Sequence, residues 1–135
     1  MFKRGPIPPF VHGVLDYLLA ALLIAAPFLI GFDSDAATAL SIVAGVAVLM
    51  LGAFTAWTTG IVKSIPPVAH AMLDYALAAL LIALPFLAGF SDDGGASAFF
   101  VIVGVAGIVL AIATRFTPAA APEPRPREQR AHPAA

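Results

Sequence analysis

The residues of this chain that could perform chemistry occur as two copies of one set. Residues 7–32 and 65–90 align at an offset of 58 and are identical at 19 of 26 positions. Each copy holds a His, an Asp four residues later and a Tyr directly after it: His12, Asp16, Tyr17, His70, Asp74 and Tyr75. Because residues four apart share one face of a helix, each His–Asp pair is expected to point in one direction.

Three interpretations of these pairs follow from their chemistry. In the first, which we favour, each Asp accepts a hydrogen bond from its own His or from a Tyr of the other copy, and the pairs form a polar clasp between two helices. In the second, His12, Asp16, His70 and Asp74 bind protons or a divalent metal, since neighbouring carboxylates and imidazoles suit both. In the third, His12 and His70 ligate haem b, and each Asp orients its His.

The segments that must position these residues are too apolar for a water-soluble domain. The 135 residues are 61% hydrophobic and 11% charged, whereas soluble domains carry about 25% charged residues. Charges almost vanish in four runs of about 20–26 residues, long enough to cross a bilayer. Asp16 and Asp74 are the only charged residues inside these runs. The predicted transmembrane helices are 9–31, 37–58, 67–89 and 96–116.

The basic residues predict how the chain lies in the membrane. All seven lie before the first helix, between the second and third, or from Arg115 at the end of the fourth onward, and Lys and Arg mark the cytoplasmic side. We therefore expect a multi-pass protein of the bacterial inner membrane with both termini in the cytoplasm. The expected segments are an N-terminal segment 1–8, a first two-helix repeat 9–58, a cytoplasmic loop 59–66, a second two-helix repeat 67–116 and a disordered cytoplasmic tail 117–135.

The repeat also predicts the arrangement of the helices. Two helices return the chain to its starting side, so the repeats are parallel and related by a pseudo-twofold axis along the membrane normal. The second helices match at an offset of 59, where Thr55 corresponds to Thr114. The predicted fold is an all-α membrane protein of four transmembrane helices.

Prolines and aromatic residues predict local features of the helices. Pro27 and Pro85 each remove a backbone donor and free the carbonyl four residues earlier, which predicts a kink near the outer end of each helix. Gly31 and Gly89 are the expected C-terminal caps. Trp57 is expected at the membrane interface.

Several function classes are excluded by what the sequence lacks. It has no cysteine and a net charge of −1, so thiolate metal sites, disulfides and nucleic-acid partners are not expected. It has no phosphate-binding loop, nucleophile elbow or zinc-protease motif. We therefore predict a non-enzymatic protein with no cofactor that acts by helix packing in the lipid bilayer, as a homo-oligomer or with a membrane-protein partner. The haem, metal or proton site is the alternative, and a small transporter subunit is a weaker one.

One layout within the repeat is similar to a known family. Pro-Phe-Leu-x-Gly-Phe follows Ala26 in the first copy and Leu84 in the second, and a Gly-Val-Ala core lies in each second helix. This layout resembles the SPW-repeat membrane proteins, small bacterial proteins built from two-helix units, over about residues 7–116. The Ser and Trp of the motif are replaced by Ala26 and Phe28 in one copy and by Leu84 and Phe86 in the other. The resemblance implies a membrane location and a repeat architecture, and no catalytic residue.

Overall fold

A computed structural model describes residues 5–116, and these residues form four helices. The helices are α1 (Pro9–Ala26, continued by a π-helical turn, Pro27–Gly31), α2 (Asp35–Phe54), α3 (Pro67–Leu87) and α4 (Gly94–Ala113). All four are long and apolar enough to cross a membrane, and residues 5–116 contain only two isolated β-bridges besides them. The predicted all-α fold with four membrane-spanning helices is confirmed. The predicted tail, residues 117–135, lies outside the described residues.

The first helix of each repeat begins in one way and the second helix of each repeat begins in another. α1 and α3 begin with Pro9 and Pro67 at their first position, where a missing N–H removes no helical bond. The side chains of Ser34 and Asp93 cap α2 and α4 by accepting a hydrogen bond from the backbone N–H three residues later. A short polar side chain at this position satisfies a donor that the helix itself leaves unpaired.

The ends of α2 and α4 come earlier than the sequence predicts. Thr55 and Thr114 leave the helical conformation with ψ values of 141° and 143°. Each then forms a bridge with a residue preceding a helix of the other repeat, Thr55 with Ile65 and Thr114 with Ile7. The helices stop because their last residues pair with another segment of the chain.

The outer ends of α1 and α3 are shaped by proline and glycine. Pro27 cannot donate to the carbonyl of Leu23, and the hydroxyl of Ser41 in α2 donates to that carbonyl instead, at 2.6 Å. Gly31 and Gly89 have φ values of +78° and +74°, which glycine adopts without the penalty of a Cβ atom. Both glycines therefore act at the helix ends as predicted.

Within each repeat, one glycine lets two helices approach closely. A Cβ atom on Gly45 would lie 2.8 Å from the carbonyl oxygen of Ala20, and one on Gly104 would lie 2.7 Å from that of Ala78. Glycine at such positions allows helix backbones to pack without intervening side chains. α1 therefore packs mainly on α2, and α3 mainly on α4.

The two repeats share one hydrophobic core, which includes Leu23 and Val48 of the first and Leu81 and Val103 of the second, and they also contact each other at both ends of the bundle. At one end, which we call the basic end, α1 and α3 begin and Lys63 and Arg115 are found. The other, the acidic end, carries Asp33, Asp35, Asp92 and Asp93. At the acidic end Phe32 of the first repeat packs against Phe99 and Phe100 of the second, with ring centroids 5.7 and 6.3 Å apart. The basic end is held by a polar centre.

Candidate functional site

Four of the predicted residues meet in one buried cluster, His12, Asp16, His70 and Asp74, which we call the polar centre. The Nε2 atom of His12 lies 3.3 Å from Asp16 and 3.1 Å from Asp74. The Nε2 atom of His70 lies 3.2 Å from each of the same two carboxylates. Each imidazole is therefore shared between the carboxylate of its own helix and that of the other repeat.

The helical geometry of α1 and α3 produces this convergence. Since His and Asp are four residues apart, both lie on the face that each helix turns toward the pseudo-twofold axis. Asp16 and Asp74 lie about 6 Å deeper than the histidines, at a rise of about 1.5 Å per residue. The axis brings the two pairs to equal depth, so four ionisable groups occupy one small volume.

A threonine of the opposite repeat contacts the second ring nitrogen, Nδ1, of each imidazole. The Nδ1 atom of His12 lies 2.7 Å from the hydroxyl oxygen of Thr114, and Nδ1 of His70 lies 2.7 Å from that of Thr55. Each hydroxyl already donates its proton to the carbonyl four residues earlier, at 2.6 and 2.7 Å. Because a hydroxyl has one proton, both contacts are hydrogen bonds only when Nδ1 carries the proton and donates it. Nε2 of each ring then faces the carboxylates.

Backbone pairing between the repeats places these threonines. The segment before each first helix runs beside the residues that follow the second helix of the other repeat, and the two pairings are equivalent. The bonds are Ile7 N–H to Ala113 O (3.0 Å), Arg115 N–H to Ile7 O (2.9 Å), Ala56 N–H to Ile65 O (2.8 Å) and Ile65 N–H to Phe54 O (2.8 Å). These main-chain hydrogen bonds hold Thr55 and Thr114 in position beside the Nδ1 atoms of the imidazoles.

Two aromatic rings close the polar centre at the basic end. Trp57 lies 4.2 Å from His70 and 5.4 Å from His12, measured between ring centroids. Phe116, its counterpart at the offset of 59, lies 5.1 Å from His12 and 6.2 Å from His70. Trp57 and Phe116 are themselves stacked, with an angle of 19° between their planes. The predicted interfacial role of Trp57 is wrong, because the loop after α2 folds its indole into the protein.

The loop that carries Trp57 rests on α1. A Cβ atom on Gly13 would collide with the hydroxyl of Thr59, so glycine is needed for the loop to lie this close. The hydroxyl of Tyr17 donates to the carbonyl of Thr59 at 2.9 Å. Tyr17 therefore supports the cover of the polar centre without joining it.

The remaining predicted residues are Tyr75, Pro27 and Pro85. Tyr75 is partly buried on the turn of α3 that corresponds to Tyr17. Pro27 and Pro85 are buried near the acidic ends of their helices, several turns from the histidines. The prolines shape the helix ends and do not contact the polar centre.

The polar centre is closed to water at most of its atoms. His12 and His70 are each 1% exposed and Asp16 is 4% exposed. Among residues 5–116, Nε2 of both histidines and one oxygen of each carboxylate have no hydrogen-bond partner. The Nε2–carboxylate contacts are therefore close approaches without hydrogen-bond geometry. One donor atom from each of the four residues lies within 4.8 Å of the other three, which is the spacing of a metal-binding group.

The space around the polar centre limits what it can bind. A cavity of about 30 Å³ adjoins His12, Asp16 and Asp74 on the side of the membrane interior, enough for a single water molecule. A haem between His12 and His70 does not fit, because the ring centroids are 5.5 Å apart and the carboxylates occupy the space of the porphyrin. A proton or a single metal ion matches the size of this site.

Four residues of the site were not identified as functional from the sequence: Thr55, Thr114, Trp57 and Phe116. The repeat alignment does contain a signal for them, because the offset of 59 pairs the two threonines and also pairs the two aromatic residues. The offset does not reveal that each pair acts on the histidine of the other repeat. That exchange depends on the backbone pairing between repeats.

Comparison with known proteins bears on the fold and location of the chain. The model of the SPW repeat domain matches residues 10–114. No curated protein and no solved structure matches the chain. The match spans all four membrane-crossing helices and both halves of the polar centre. This chain is a multi-pass membrane protein that belongs to the SPW repeat family.

Proposed function

We propose that this chain is a non-enzymatic membrane protein that acts by helix packing, with itself or with a membrane partner, as a unit whose two repeats are joined by the polar centre. The observation that carries the proposal is the exchange of partners across the pseudo-twofold axis. His12 depends on Asp74 and Thr114 of the second repeat, and His70 depends on Asp16 and Thr55 of the first. Neither repeat can complete its own set of contacts.

The distribution of contacts supports a joining role. Helices pack closely within each repeat, whereas α2 and α3 make few contacts between repeats. In lipid there is no hydrophobic drive for helices to associate, so polar contacts and close packing must hold them together. The polar centre is the main polar connection in the membrane interior among the described residues.

The absence of enzymatic chemistry is supported by the size and closure of the site. The neighbouring cavity of about 30 Å³ is far below the roughly 300 Å³ of a site for a small organic ligand. Trp57 and Phe116 cover the basic-end side. A cavity of this size offers no room for an organic solute, so we do not propose a transporter of organic molecules.

The outer surface supports packing against apolar partners. Two grooves of about 470 Å³ each run along the bundle, one between α2 and α3 and one between α1 and α4. Their linings correspond by the repeat offsets, with Leu73 and Leu77 in one groove and Leu15 and Leu19 in the other. Lipid chains or a transmembrane helix would find the same apolar surface on both sides.

We further propose that both termini lie in the cytoplasm and that the membrane is the bacterial inner membrane. Lys63 and Arg115 share the basic end, and the opposite loops carry only acidic charges. This asymmetry follows the positive-inside rule. Because the chain has no cysteine, a single Cys at Ser34 or Ser91 should be labelled by an impermeant thiol reagent from outside the cell. Labelling only after permeabilisation would reverse the orientation.

The joining role is tested by the stability of the purified full chain in lipid nanodiscs with a chelator present. Trp57 is the only tryptophan, so its emission reports on the polar centre during unfolding. The variant Asp16→Asn/Asp74→Asn should unfold at a lower temperature, and the control Asp33→Asn/Asp92→Asn at the acidic end should match the wild type. Equal unfolding temperatures for all three proteins would contradict the joining role.

The packing role is tested by counting chains in a bilayer. Single-molecule photobleaching of a fluorescently tagged chain should show assemblies of two or more copies, or a stable complex with one other membrane protein after gentle solubilisation. Substitution of the exposed Ala106 by Leu, which fills one groove, should reduce that association if the groove is the contact. A chain that stays monomeric and alone at every density would contradict the role.

A further inference from the structure

We propose that His12, Asp16, His70 and Asp74 form a four-coordinate site for one divalent transition-metal ion, with Zn²⁺ as the best match. The inference rests on the proposed function, because it assigns a ligand to the same polar centre that joins the repeats. It rests on geometry, on the orientation of the imidazoles and on the balance of charge, which are independent of one another.

The distances within the polar centre match the edges of a coordination tetrahedron. Zn–N and Zn–O bonds of about 2.0–2.1 Å in a tetrahedral site place adjacent donor atoms about 3.3 Å apart. The four His–Asp separations are 3.1–3.3 Å and involve both oxygens of Asp16 and one oxygen of Asp74, so a tetrahedral ion would take one of the two Asp16 oxygens. Two nitrogens and two oxygens around one centre form an N₂O₂ set, which zinc accepts readily. Calcium and magnesium require six or more oxygen ligands and do not fit a set of this size.

The contacts differ from those of two separate ion pairs. A charged N–H···O⁻ bond has a length of about 2.7–2.9 Å and points along the N–H direction. Here each Nε2 lies almost equally far from two carboxylates and bonds to neither. A ring nitrogen this close to both carboxylates, with a hydrogen bond to neither, is the arrangement expected when the nitrogens and the carboxylates face a common ion.

The threonines fix the tautomer that metal binding requires. Nδ1 of His12 donates to Thr114 and Nδ1 of His70 donates to Thr55, which leaves each Nε2 free of a proton in the neutral ring. Histidines that bind metals in proteins use their second nitrogen in this way, as a donor to a neighbouring acceptor. Thr55 and Thr114 are therefore positioning residues for the proposed site.

A divalent ion would balance the charge of the site when both imidazoles are neutral. With neutral imidazoles, Asp16 and Asp74 bring two negative charges into an apolar interior, where isolated charges are strongly disfavoured. One divalent cation neutralises both carboxylates and uses the two imidazole lone pairs. The site keeps no open position for a substrate, which is typical of a structural zinc site.

The two halves of the site differ in how an ion can approach. The side chain of Asp74 is 16% exposed and that of Asp16 is 6% exposed. The cavity beside Asp74 also contacts Gly107 and Leu110 of α4. Approach past Asp74 avoids the stacked rings of Trp57 and Phe116, so metal exchange should depend more on α4 than on the aromatic cover.

The inference is tested by the metal content of the full chain purified in nanodiscs, loaded with Zn²⁺ and washed with a chelating resin. Elemental analysis should find about one zinc per chain in the wild type, with at least a tenfold reduction in Asp16→Asn/Asp74→Asn. The matched control Asp33→Asn/Asp92→Asn should keep the wild-type content. Wild-type protein without zinc, or equal zinc in both double variants, would overturn the inference.

Spectroscopy of the wild type tests the ligand set without any variant. X-ray absorption at the zinc edge should show four N/O neighbours at about 2.0 Å, two of them imidazole. Co²⁺ in place of Zn²⁺ should give the intense visible bands of tetrahedral cobalt and quench Trp57 emission. A six-coordinate ion, or an ion that leaves Trp57 emission unchanged, would overturn the assignment to the polar centre.

The positioning role of the threonines has its own readout. Thr55→Val and Thr114→Val each remove the acceptor of one Nδ1–H and should weaken Zn²⁺ affinity about 10–100-fold, while Thr→Ser should restore it. Thr38→Val in α2, at the acidic end, is the control and should bind zinc as the wild type does. Unchanged affinity in both Val variants would contradict the positioning role.

These measurements separate the two proposals. If the wild type binds no zinc while Asp16→Asn/Asp74→Asn still lowers the unfolding temperature in chelator, the metal site fails and the joining role stands. If zinc binds at four N/O ligands but the double variant unfolds like the wild type, the joining role fails and the metal site stands.

Discussion

The two repeats make equivalent contacts at the basic end of the bundle and different contacts at the acidic end. At the basic end the repeats are nearly interchangeable: each His contacts both carboxylates, and each Nδ1 lies 2.7 Å from a threonine of the other repeat. The backbone pairings of Ile7 and Ile65 are also equivalent. Here each repeat completes the other, so both copies must adopt the same geometry.

At the acidic end, different side chains stabilise the corresponding helix ends of the two repeats. Ser41 in α2 bonds the carbonyl freed by Pro27, and Phe100 occupies the corresponding position in α4. Asp93 caps α4 and also accepts bonds from the backbone N–H groups of Asp33 and Ser34 in the first repeat. The two repeats do not build a common site at this end, so the side chains that stabilise corresponding helix ends can differ between them.

The largest expected effect tests the equivalence of the basic end. His12→Ala and His70→Ala each remove one of the two imidazoles that contact both carboxylates, and each should lower the free energy of unfolding by about 3–5 kcal/mol. Chemical unfolding in nanodiscs measures both, with the exposed Val43→Ala as a control. A strong difference in lost stability between the two variants would show that the two repeats are not equivalent at the basic end.

A smaller effect tests the unequal caps of the acidic end. Asp93→Ala removes an acceptor used by three backbone N–H groups and should lower stability by about 1–2 kcal/mol. Ser34→Ala removes a single cap bond and should cost about 0.5–1 kcal/mol. The same unfolding measurement compares them, and a larger loss for Ser34→Ala would argue against the bridging role of Asp93.

A further prediction concerns the carbonyl freed by Pro27. Ser41→Ala leaves the oxygen of Leu23 buried without a donor and should lower stability by about 1 kcal/mol. In a Pro27→Ala background the backbone N–H of residue 27 supplies that donor, so Ser41→Ala should then have little effect. A double-mutant cycle measures this coupling, and additive losses would show that the hydroxyl does not serve this carbonyl.

The smallest effect is a pH dependence at the acidic end. The backbone N–H of Ala96, and next that of Ser34, hold the pKa of Asp93 below its ordinary value. A carboxyl group with a lowered folded pKa stabilises the protein above its unfolded pKa, and this stabilisation is lost as the pH falls through the folded pKa. The stability advantage of the wild type over Asp93→Asn should therefore shrink below about pH 4. An advantage that stays constant from pH 7 to pH 3 would contradict the role of the charge.

Much of the fold could be predicted from the sequence because lipid imposes simple rules. The helices are predicted directly by the four long apolar runs, by the glycines at helix ends and by the repeat. The four helices and their parallel repeats are confirmed. Hydropathy predicts ends for α2 and α4 that are too late, because the apolar pattern continues past Thr55 and Thr114 while the backbone already pairs with another segment. Hydropathy reports burial in lipid or protein and does not report hydrogen bonding between distant segments.

The duplication and the helical spacing predict that His12/Asp16 and His70/Asp74 face one another, and they make Tyr17 and Tyr75 candidates as well. Which atoms contact one another follows from the tertiary structure. Each imidazole is shared by both carboxylates, its other nitrogen bonds a threonine of the opposite repeat, and Trp57 and Phe116 close the centre. A spacing along one helix fixes a face, whereas contacts across the pseudo-twofold axis depend on how two helix pairs are docked.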